Sequence, residues 1–273
     1  MQEQDVVSAA YDAGVDDELR RLTEIPYGEA EYRLTVELLD RFIQPGSLVA
    51  DIGCGPGRYA EHLLSRECRV GAVDLSKRSL DVFLQRVPPS FSDSILFSEK
   101  GCATNLPFIE DESFDAVLLM GPLYHLSQEK DRQKAVNECL RIIKPGGYIF
   151  ATFVSPYPKL NPLFELRPED MVDSSYLLQF LTPVTTTTLF KGYKLPELRY
   201  WPRAAQIFMQ SNGFSTVHIR NLDGIRQYEK TCYKHTDISE NSMAEVLDVM
   251  RKTCDHPDLI GMTTQYLYVG RKA

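Results

Sequence analysis

Short apolar runs and longer amphipathic stretches alternate along residues 48–154 of the chain. The first apolar run, at 48–51, is followed by a glycine-rich segment at 53–57 and a helix-like stretch at 58–66. Strand, glycine turn and helix in this order are typical of the first βαβ unit of a nucleotide-binding sheet. The same alternation predicts further strands at 69–73, 95–98, 114–120 and 148–154 and helices at 77–87 and 127–143.

Three regions lie outside this predicted core of residues 46–154. Residues 1–45 predict an N-terminal helical cap, because the charged stretch 16–21 lacks helix breakers and apolar residues recur near helical spacing from 33 to 43. Residues 203–273 predict the C-terminal part of the sheet, with a helix at 203–211, a strand at 215–220, a helix at 240–251 and a last strand at 263–270. We therefore expect an α/β fold with a Rossmann-like, seven-stranded, mostly parallel sheet and helices on both faces.

The remaining region, residues 155–202, breaks the alternation. It holds seven prolines, many aromatic residues and four consecutive threonines, Thr185 to Thr188. A connection of this length is usually functional or disordered, and its aromatic content argues against disorder. We predict a lid inserted after the fifth strand, lying over the carboxyl ends of the strands where open α/β sheets bind ligands.

Composition and charge narrow the classes of partner. The net charge is −8 and no Lys/Arg block stands out, which predicts no nucleic-acid partner. The chain has neither an apolar run of membrane-spanning length nor a secretory signal, so we expect no membrane association and a cytoplasmic location. Its six cysteines are scattered without ligand-like spacing, which predicts free thiols and no metal site.

The glycine segment differs from an NAD-binding loop. Such a loop needs its third glycine where this sequence has Arg58. Asp51, two places before Gly53, suits a cationic ammonium better than a phosphate. Asp74 closes the second predicted strand about twenty residues after the loop, where a carboxylate can accept hydrogen bonds from ribose hydroxyls. A nicotinamide oxidoreductase is therefore disfavoured.

Four ordered motifs between about residues 48 and 153 resemble the class I S-adenosylmethionine-dependent methyltransferases. They are Asp51 to Gly57, Val73 to Ser76, Ala103 to Phe108 and Leu140 to Gly147. The resemblance implies a S-adenosylmethionine-binding core at 46–154, with the glycine loop under the methionine and ribose, and the adenine between Leu75 and the edge formed by Cys102 and Ala103. The family often has an acid where this chain has Cys102. The cofactor-binding residues expected from it are Asp51, Gly53, Cys54, Gly55, Gly57, Arg58, Asp74, Leu75, Cys102, Ala103 and Gly121.

The segment Met120 to His125 falls where the family places residues around the reacting sulfonium. His125 is the candidate general base, because histidine titrates near neutrality, and Tyr124 is the second candidate. For both residues, simple packing at a strand end remains the alternative. Aromatic residues of the lid and polar residues of the cap are expected to meet the acceptor. The substrate candidates are Tyr11, Tyr27, Glu31, Tyr157 and Trp201, and Arg21 is a further cap residue that could touch cofactor or acceptor.

The sequence as a whole predicts a methyltransferase that moves a methyl group to a small-molecule acceptor, on oxygen, nitrogen or sulfur, by in-line displacement. One alternative is a protein of the same fold that binds the cofactor without methylating. Another is a methyltransferase that acts on a protein. The sequence leaves the acceptor and the oligomeric state open.

Overall fold

The computed structural model describes residues 3–23, 26–160, 179–223 and 240–273. The strands within these ranges are β1 (Leu48–Ile52), β2 (Arg69–Asp74), β3 (Ile95–Lys100), β4 (Phe114–Leu119), β5 (Ile143–Val154), β6 (Val184–Phe190), β7 (Tyr193–Arg199), β8 (Phe214–Asn221) and β9 (Gln265–Lys272). The helices are α1 (Glu3–Thr23), α2 (Pro26–Phe42), α3 (Arg58–Ser65), α4 (Lys77–Arg86), α5 (Pro122–His125), α6 (Glu129–Ile142), α7 (Tyr157–Leu160), α8 (Pro202–Ser211) and α9 (Glu240–Thr253). Among these helices, none is both long and apolar enough to cross a membrane.

The sheet has nine strands where seven were predicted, because β6 and β7 also join it. The other seven form the predicted Rossmann-like arrangement, which confirms the fold class. Their order is β3-β2-β1-β4-β5-β9-β8, and the first five run parallel. β9 pairs antiparallel with both β5 and β8. Because the chain reverses its strand order next to β1, the carboxyl ends of β1, β2 and β4 border a crevice of the kind that binds ligands in open α/β sheets.

The central strands are buried on both faces, as their apolar runs predict. Val117 and Leu119 of β4 pack into the core cluster that includes α6 and α8, whereas Ala116 and Leu118 pack into the cluster that includes α2 and α3. The alternation of side chains along one strand thus contributes to two cores, one on each side of the sheet.

The start of β5 and both ends of the last strand differ from the prediction. β5 begins at Ile143, five residues before the predicted start, because Ile143 already pairs with Phe114 of β4. The register then shifts before Tyr148 pairs with Ala116, so the intervening Pro-Gly-Gly segment forms an irregular part of the strand rather than a separate turn. The last strand runs over Gln265–Lys272 instead of 263–270.

The predicted lid contains a β-hairpin that the broken pattern concealed. β6 holds the four threonines and pairs with β7 in antiparallel register. β-branched residues favour strands. The two-residue turn, Lys191 and Gly192, has positive φ at both positions, as tight hairpin turns require. β7 joins the main sheet through the pair Val154 and Arg199, and residues 161–178 of the predicted lid lie outside the described residues.

Helix α1 packs across the carboxyl end of β2 and against the hairpin. Its Val7 and Ala10 form a small buried cluster with Leu195 of β7. The hydroxyl of Ser8 donates a hydrogen bond of 2.9 Å to the carbonyl of Leu75, directly after β2. The N-terminal cap therefore covers the ligand-binding edge of the sheet.

Candidate functional site

A cavity of about 1180 Å³, including space open to solvent, lies under α1 at the carboxyl ends of β1, β2 and β4. Most of the residues predicted from sequence line it. They are Asp51, Gly53, Cys54, Gly55, Arg58, Asp74, Leu75, Cys102, Ala103, Gly121, Tyr11, Glu31, Tyr124 and His125.

The glycine loop follows β1 and is held close to β2. The amides of Gly53 and Cys54 donate to the carbonyl of Val73 at 2.7 and 3.1 Å. Gly53, Gly55 and Gly57 have φ values of 80°, 54° and 83°, which residues with a Cβ rarely adopt. Gly57 lies outside the cavity lining and is needed for packing instead, because a Cβ there would lie 2.1 Å from the ring of Phe83.

The carboxyl group of Asp51 is the most isolated acid of the site. Asp51 is 2 % exposed, and among the described residues its Oδ2 has no hydrogen-bond partner. Burial, together with the nearby Asp74, raises the pKa of Asp51 to about 7. A buried carboxyl without a partner is costly unless a cation or donor reaches it. The group thus fits a ligand ammonium, as its position before the loop predicts.

Asp74 lies at the end of β2 and braces the loop. Its Oδ2 accepts from the amide of Gly55 at 2.8 Å, and its Oδ1 accepts from the amide of Ser76 at 2.7 Å. Burial raises the pKa of Asp74 to about 6, while these two backbone hydrogen bonds oppose the rise. Each carboxylate oxygen can accept more than one hydrogen bond, so Asp74 can still receive ribose hydroxyls.

The expected adenine edge carries a thiol in place of a carboxylate. Cys102 is half-buried, and its Sγ lies 3.1 Å from the hydroxyl of Thr104. The carbonyl of Cys102 accepts from the amide of Asn105, which closes a tight turn. Leu75 and Ala103 line the same part of the cavity, so an apolar slot with a small polar edge is present.

Arg58 begins α3 and supplies a positive group beside the loop. Its guanidinium carbon lies 4.1 Å from the ring centroid of Tyr32. Among the described residues, its Nε is buried without a hydrogen-bond partner. With the free amides and the positive dipole end of α3, this guanidinium fits a carboxylate.

His125 and Tyr11 form a hydrogen-bonded pair in the cavity wall. His125 is 8 % exposed, and its Nδ1 lies 2.9 Å from the carbonyl oxygen of Pro196 in β7. A carbonyl only accepts, so Nδ1 carries the proton and Nε2 accepts from the Tyr11 hydroxyl at 2.8 Å. Burial lowers the pKa of His125, which favours this neutral tautomer.

Tyr124, the second catalytic candidate, stacks edge to face with His125 at 4.6 Å between ring centroids. Burial raises the pKa of its hydroxyl. Tyr11, which the sequence predicted as a substrate contact, is therefore also the direct partner of the predicted base. No local pattern could have shown this, because Tyr11 and His125 are 114 residues apart.

A cluster of charged side chains from α1 and α2, made of Glu18, Arg21 and Glu31, also lines the cavity. Arg21 donates through Nε and Nη2 to Glu18 and through Nη1 to Glu31, at 2.7 Å. Sequence reasoning named Arg21 and Glu31 but missed Glu18. The signal was available, because residues three apart on a helix are neighbours and the two charges are opposite.

Two predicted substrate residues of the described chain, Trp201 and Tyr157, do not line the cavity. Trp201 donates from Nε1 to the carbonyl of Phe180 and packs near Gly261, outside the cavity lining. Tyr157 is half-buried in α7 and also lies outside it. The side chain of Tyr27 lies outside the described residues. Within the described ranges, no group of three or more His, Cys, Asp or Glu residues could hold a metal ion.

The fold and the cavity define a Rossmann-like protein with a site for a nucleoside that bears an amino-acid tail. Residues 50–151 match the family model described as a methyltransferase domain. The chain is 31% identical over 66% of its length to the demethylmenaquinone methyltransferase of Renibacterium salmoninarum, covering 71% of that protein. The chain belongs to the class I S-adenosylmethionine-dependent methyltransferases.

The chain covers a smaller share of two other relatives. The chain is 30% identical to the ubiquinone biosynthesis O-methyltransferase of Alkalilimnicola ehrlichii, over 61% of this chain and 62% of the relative. It is 34% identical to the tRNA (carboxymethyluridine(34)-5-O)-methyltransferase of Arabidopsis thaliana, over 39% of this chain and 24% of the relative. The chain thus spans less than two thirds of either protein.

The fold is shared with solved structures at low identity. The Burkholderia thailandensis 1,6-didemethyltoxoflavin-N1-methyltransferase, solved with 1,6-didemethyltoxoflavin and S-adenosylhomocysteine bound, superposes with a TM-score of 0.59 at 14% identity, over 98% of this chain and 88% of that chain. At this identity the likeness concerns the fold alone.

Proposed function

We propose that the protein transfers the methyl group of S-adenosylmethionine to a small-molecule acceptor. The observation that carries the proposal is the hydrogen-bonded pair of Tyr11 and His125 in the wall of the same cavity as the glycine loop. The relatives named as a ubiquinone biosynthesis O-methyltransferase and a demethylmenaquinone methyltransferase support a small acceptor. The bound cofactor would supply an electrophilic methyl group on a positively charged sulfur.

The residues of the loop side would hold the cofactor. Asp51 would take its ammonium, Arg58 and the start of α3 its carboxylate, and Asp74 its ribose hydroxyls. Leu75, Cys102 and Ala103 would surround the adenine. Each assignment follows from matching the charge or hydrogen-bonding capacity of the side chain to that part of the cofactor.

The main catalytic effect would be alignment. Displacement at a sulfonium methyl requires the nucleophile, carbon and sulfur to lie on one line, and holding them so lowers the barrier by roughly 7–11 kcal/mol at best. Gly121 and Tyr124 border the cavity after β4, beside the loop. α1 covers the same space and would exclude water from it.

The histidine would remove the acceptor proton indirectly. In the structure, His125 Nε2 already accepts from the Tyr11 hydroxyl, so a bound acceptor would donate its proton to Tyr11 Oη as Tyr11 passes its own to Nε2. The carbonyl of Pro196 holds the Nδ1 proton and keeps the ring oriented. General-base assistance of this kind typically contributes about 10²–10⁴-fold.

The test is turnover together with binding. Purified protein is incubated with S-adenosylmethionine and a panel of small hydroxyl, amine and thiol acceptors, and release of S-adenosylhomocysteine is measured. His125→Ala and Tyr11→Phe should lower turnover by about 10²–10⁴-fold while S-adenosylhomocysteine still binds. Binding without turnover on any acceptor would favour the non-methylating alternative.

A second candidate substrate, tRNA, is favoured by the relatives named as tRNA methyltransferases. The net charge of −8 and the surplus of acids in the cavity oppose it. Bulk tRNA is therefore included in the panel. Turnover on tRNA and on none of the small acceptors would contradict the proposal.

A further inference from the structure

Glu18, Arg21 and Glu31 line the cavity but have no role in holding the cofactor as proposed above. They come from the cap, Glu18 and Arg21 from α1 and Glu31 from α2. Glu31 is 8 % exposed, so its carboxylate is removed from bulk water. A buried, charged group at a ligand cavity needs either a structural partner or a ligand.

The hydrogen bonds within this group are asymmetric. The Nε and Nη2 of Arg21 donate to both carboxylate oxygens of Glu18, and its Nη1 donates to Glu31 Oε2 at 2.7 Å. The guanidinium is thereby occupied on all three nitrogens. Among the described residues, Glu31 is engaged only through Oε2, which leaves Oε1 for a donor that enters the cavity. An anion could bind Arg21 only by displacing one of the two carboxylates.

The charge of the whole cavity points the same way. Four acids line it, Asp51, Asp74, Glu18 and Glu31, against two guanidinium groups, those of Arg21 and Arg58. When all are ionised the lining is doubly negative. Bound S-adenosylmethionine carries one net positive charge, because its ammonium and carboxylate cancel and its sulfonium remains. One negative charge is then left for the acceptor to neutralise.

The aromatic surroundings also suit a cation. Tyr59 follows Arg58 at the start of α3, and both Tyr59 and Tyr124 line the cavity. Rings of this kind attract ammonium groups through their faces, by about 0.5–2 kcal/mol depending on desolvation. The cavity that Glu31 lines therefore combines an available carboxylate oxygen with polarisable apolar walls.

We propose that the acceptor carries a protonated amino group, separate from the atom that is methylated, and that Glu31 binds this ammonium with Arg21 and Glu18 holding it in place. The inference rests on the proposed function, since it assigns the acceptor half of the same cavity. Glu31 is here a specificity-determining residue, and Glu18 and Arg21 are positioning residues. Acceptors with a carboxylate or phosphate at that position should be rejected.

The experiment uses three probes of similar size and different charge. The affinities of 2-phenylethylammonium, 2-phenylethanol and phenylacetate for the full chain saturated with S-adenosylhomocysteine are measured by calorimetry at pH 7.5. We expect the ammonium to bind at least tenfold more tightly than the alcohol, and phenylacetate more weakly than either. This order needs no variant and is therefore independent of any folding defect. Equal or tighter binding of phenylacetate, or no binding of the ammonium, would overturn the inference.

Variants then assign the preference to Glu31. Glu31→Gln should lower the affinity for the ammonium tenfold or more, with little change for the alcohol and for S-adenosylhomocysteine. Glu29→Gln is the matched control, because Glu29 lies on the same helix, pairs with Arg33 and is absent from the cavity lining. Should Glu31→Gln instead weaken S-adenosylhomocysteine, the group serves the cofactor and the inference is wrong. Failure of the wild type to bind S-adenosylhomocysteine would overturn the proposed function itself, whereas binding with the opposite charge order overturns only this inference.

Discussion

The buried carboxyl group of Asp51 lowers the stability of the ligand-free protein when it is ionised, but it favours the binding of a cation. Its carboxyl group is buried at the end of β1 with Oδ2 lacking a partner, and Asp74 adds like charge nearby. In the protein without ligand, ionising this group is unfavourable, which raises its pKa to about 7. The same feature makes the group ready for an ammonium, because a ligand cation restores the interaction that folding removed.

The raised pKa of Asp51 predicts how the stability of the protein depends on pH. The folded pKa of Asp51 lies above its unfolded value, so its contribution to stability is complete below about pH 4 and is lost as the pH rises through about 7. For the ligand-free protein, the Asp51 contribution to the free energy of unfolding should fall by about 2–3 kcal/mol from pH 5 to pH 8. Urea unfolding at both pH values measures it. Asp51→Asn should remove this fall, whereas Asp81→Asn, on the exposed face of α4, should not; an unchanged pH dependence in Asp51→Asn would refute the assignment.

The affinity for the cofactor product should show the opposite trend. An ammonium binds the ionised form of Asp51, so affinity for S-adenosylhomocysteine should rise between pH 6 and pH 8 in the wild type. Asp51→Asn should bind more weakly at pH 8, with a flatter pH profile. Calorimetry at three pH values tests this. A wild-type affinity that falls over this range would contradict a role for the Asp51 carboxylate.

A substitution of Asp74 tests its proposed contact with the cofactor. Removing a carboxylate that accepts hydrogen bonds from a buried ligand costs about 1.5–3 kcal/mol, so Asp74→Ala should weaken S-adenosylhomocysteine by about 10- to 100-fold. Asp81→Ala serves as control, since Asp81 pairs with Lys77 on the surface of α4. Thermal unfolding checks that the loop, which Asp74 braces through Gly55, remains folded. Unchanged affinity in a folded Asp74→Ala variant would remove the basis of the cofactor assignment.

At the scale of elements, the glycine loop depends on how closely it packs against α4. Gly46 and Gly57 have nearly the same φ, 82° and 83°, but different surroundings. A Cβ at Gly46 meets nothing within 4 Å, whereas one at Gly57 meets Phe83 at 2.1 Å. Comparing substitutions at these two glycines therefore separates the cost of a left-handed backbone from the cost of a packing clash.

The two alanine substitutions should differ in a defined way. Gly46→Ala should cost about 1–2 kcal/mol of stability, from the left-handed backbone alone. Gly57→Ala should cost a further 1–3 kcal/mol or so, from forcing Phe83 and α4 away from the loop. Chemical unfolding measures both. Equal losses would show that the loop and α4 can separate without cost.

The difference between local and distant contacts explains what the sequence could predict. Residues 48–154 carry strong periodic patterns and a near-contiguous loop motif, so the parallel strands and many of the residues that line the cavity are evident from the sequence. The β6–β7 hairpin was missed because prolines and a threonine run obscured its alternation. The Tyr11–His125 bond and the contact of Glu31 with Arg21 depend on how helices pack, which no short window of sequence encodes.

At the scale of the whole molecule, α1 joins both halves of the cavity to the rest of the fold. Near the cofactor edge, Ser8 bonds the carbonyl of Leu75. Near the acceptor half, Tyr11 bonds His125, and Glu3 accepts from the amide of Ser127 at 2.9 Å. Several of its other polar contacts are exposed, such as the ion pair of Asp16 with Arg78, and elements held partly through exposed contacts open more readily than the core of a sheet. Ligands that fill the cavity under α1 should therefore stabilise its docked position.

Hydrogen exchange of the backbone amides measures this coupling. Saturation with S-adenosylhomocysteine should slow exchange throughout α1, because the helix must leave its docked position for its amides to exchange and a bound ligand opposes that opening by mass action. Helix α8, which packs against β8 and contributes no residue to the cavity lining, is the internal control and should change little. Tyr11→Phe should speed exchange in α1 without ligand, since it removes the hydrogen bond to His125. Equal slowing in α1 and α8 would indicate a general gain in stability, and no slowing in α1 would mean that the ligand enters and leaves without displacing the cap.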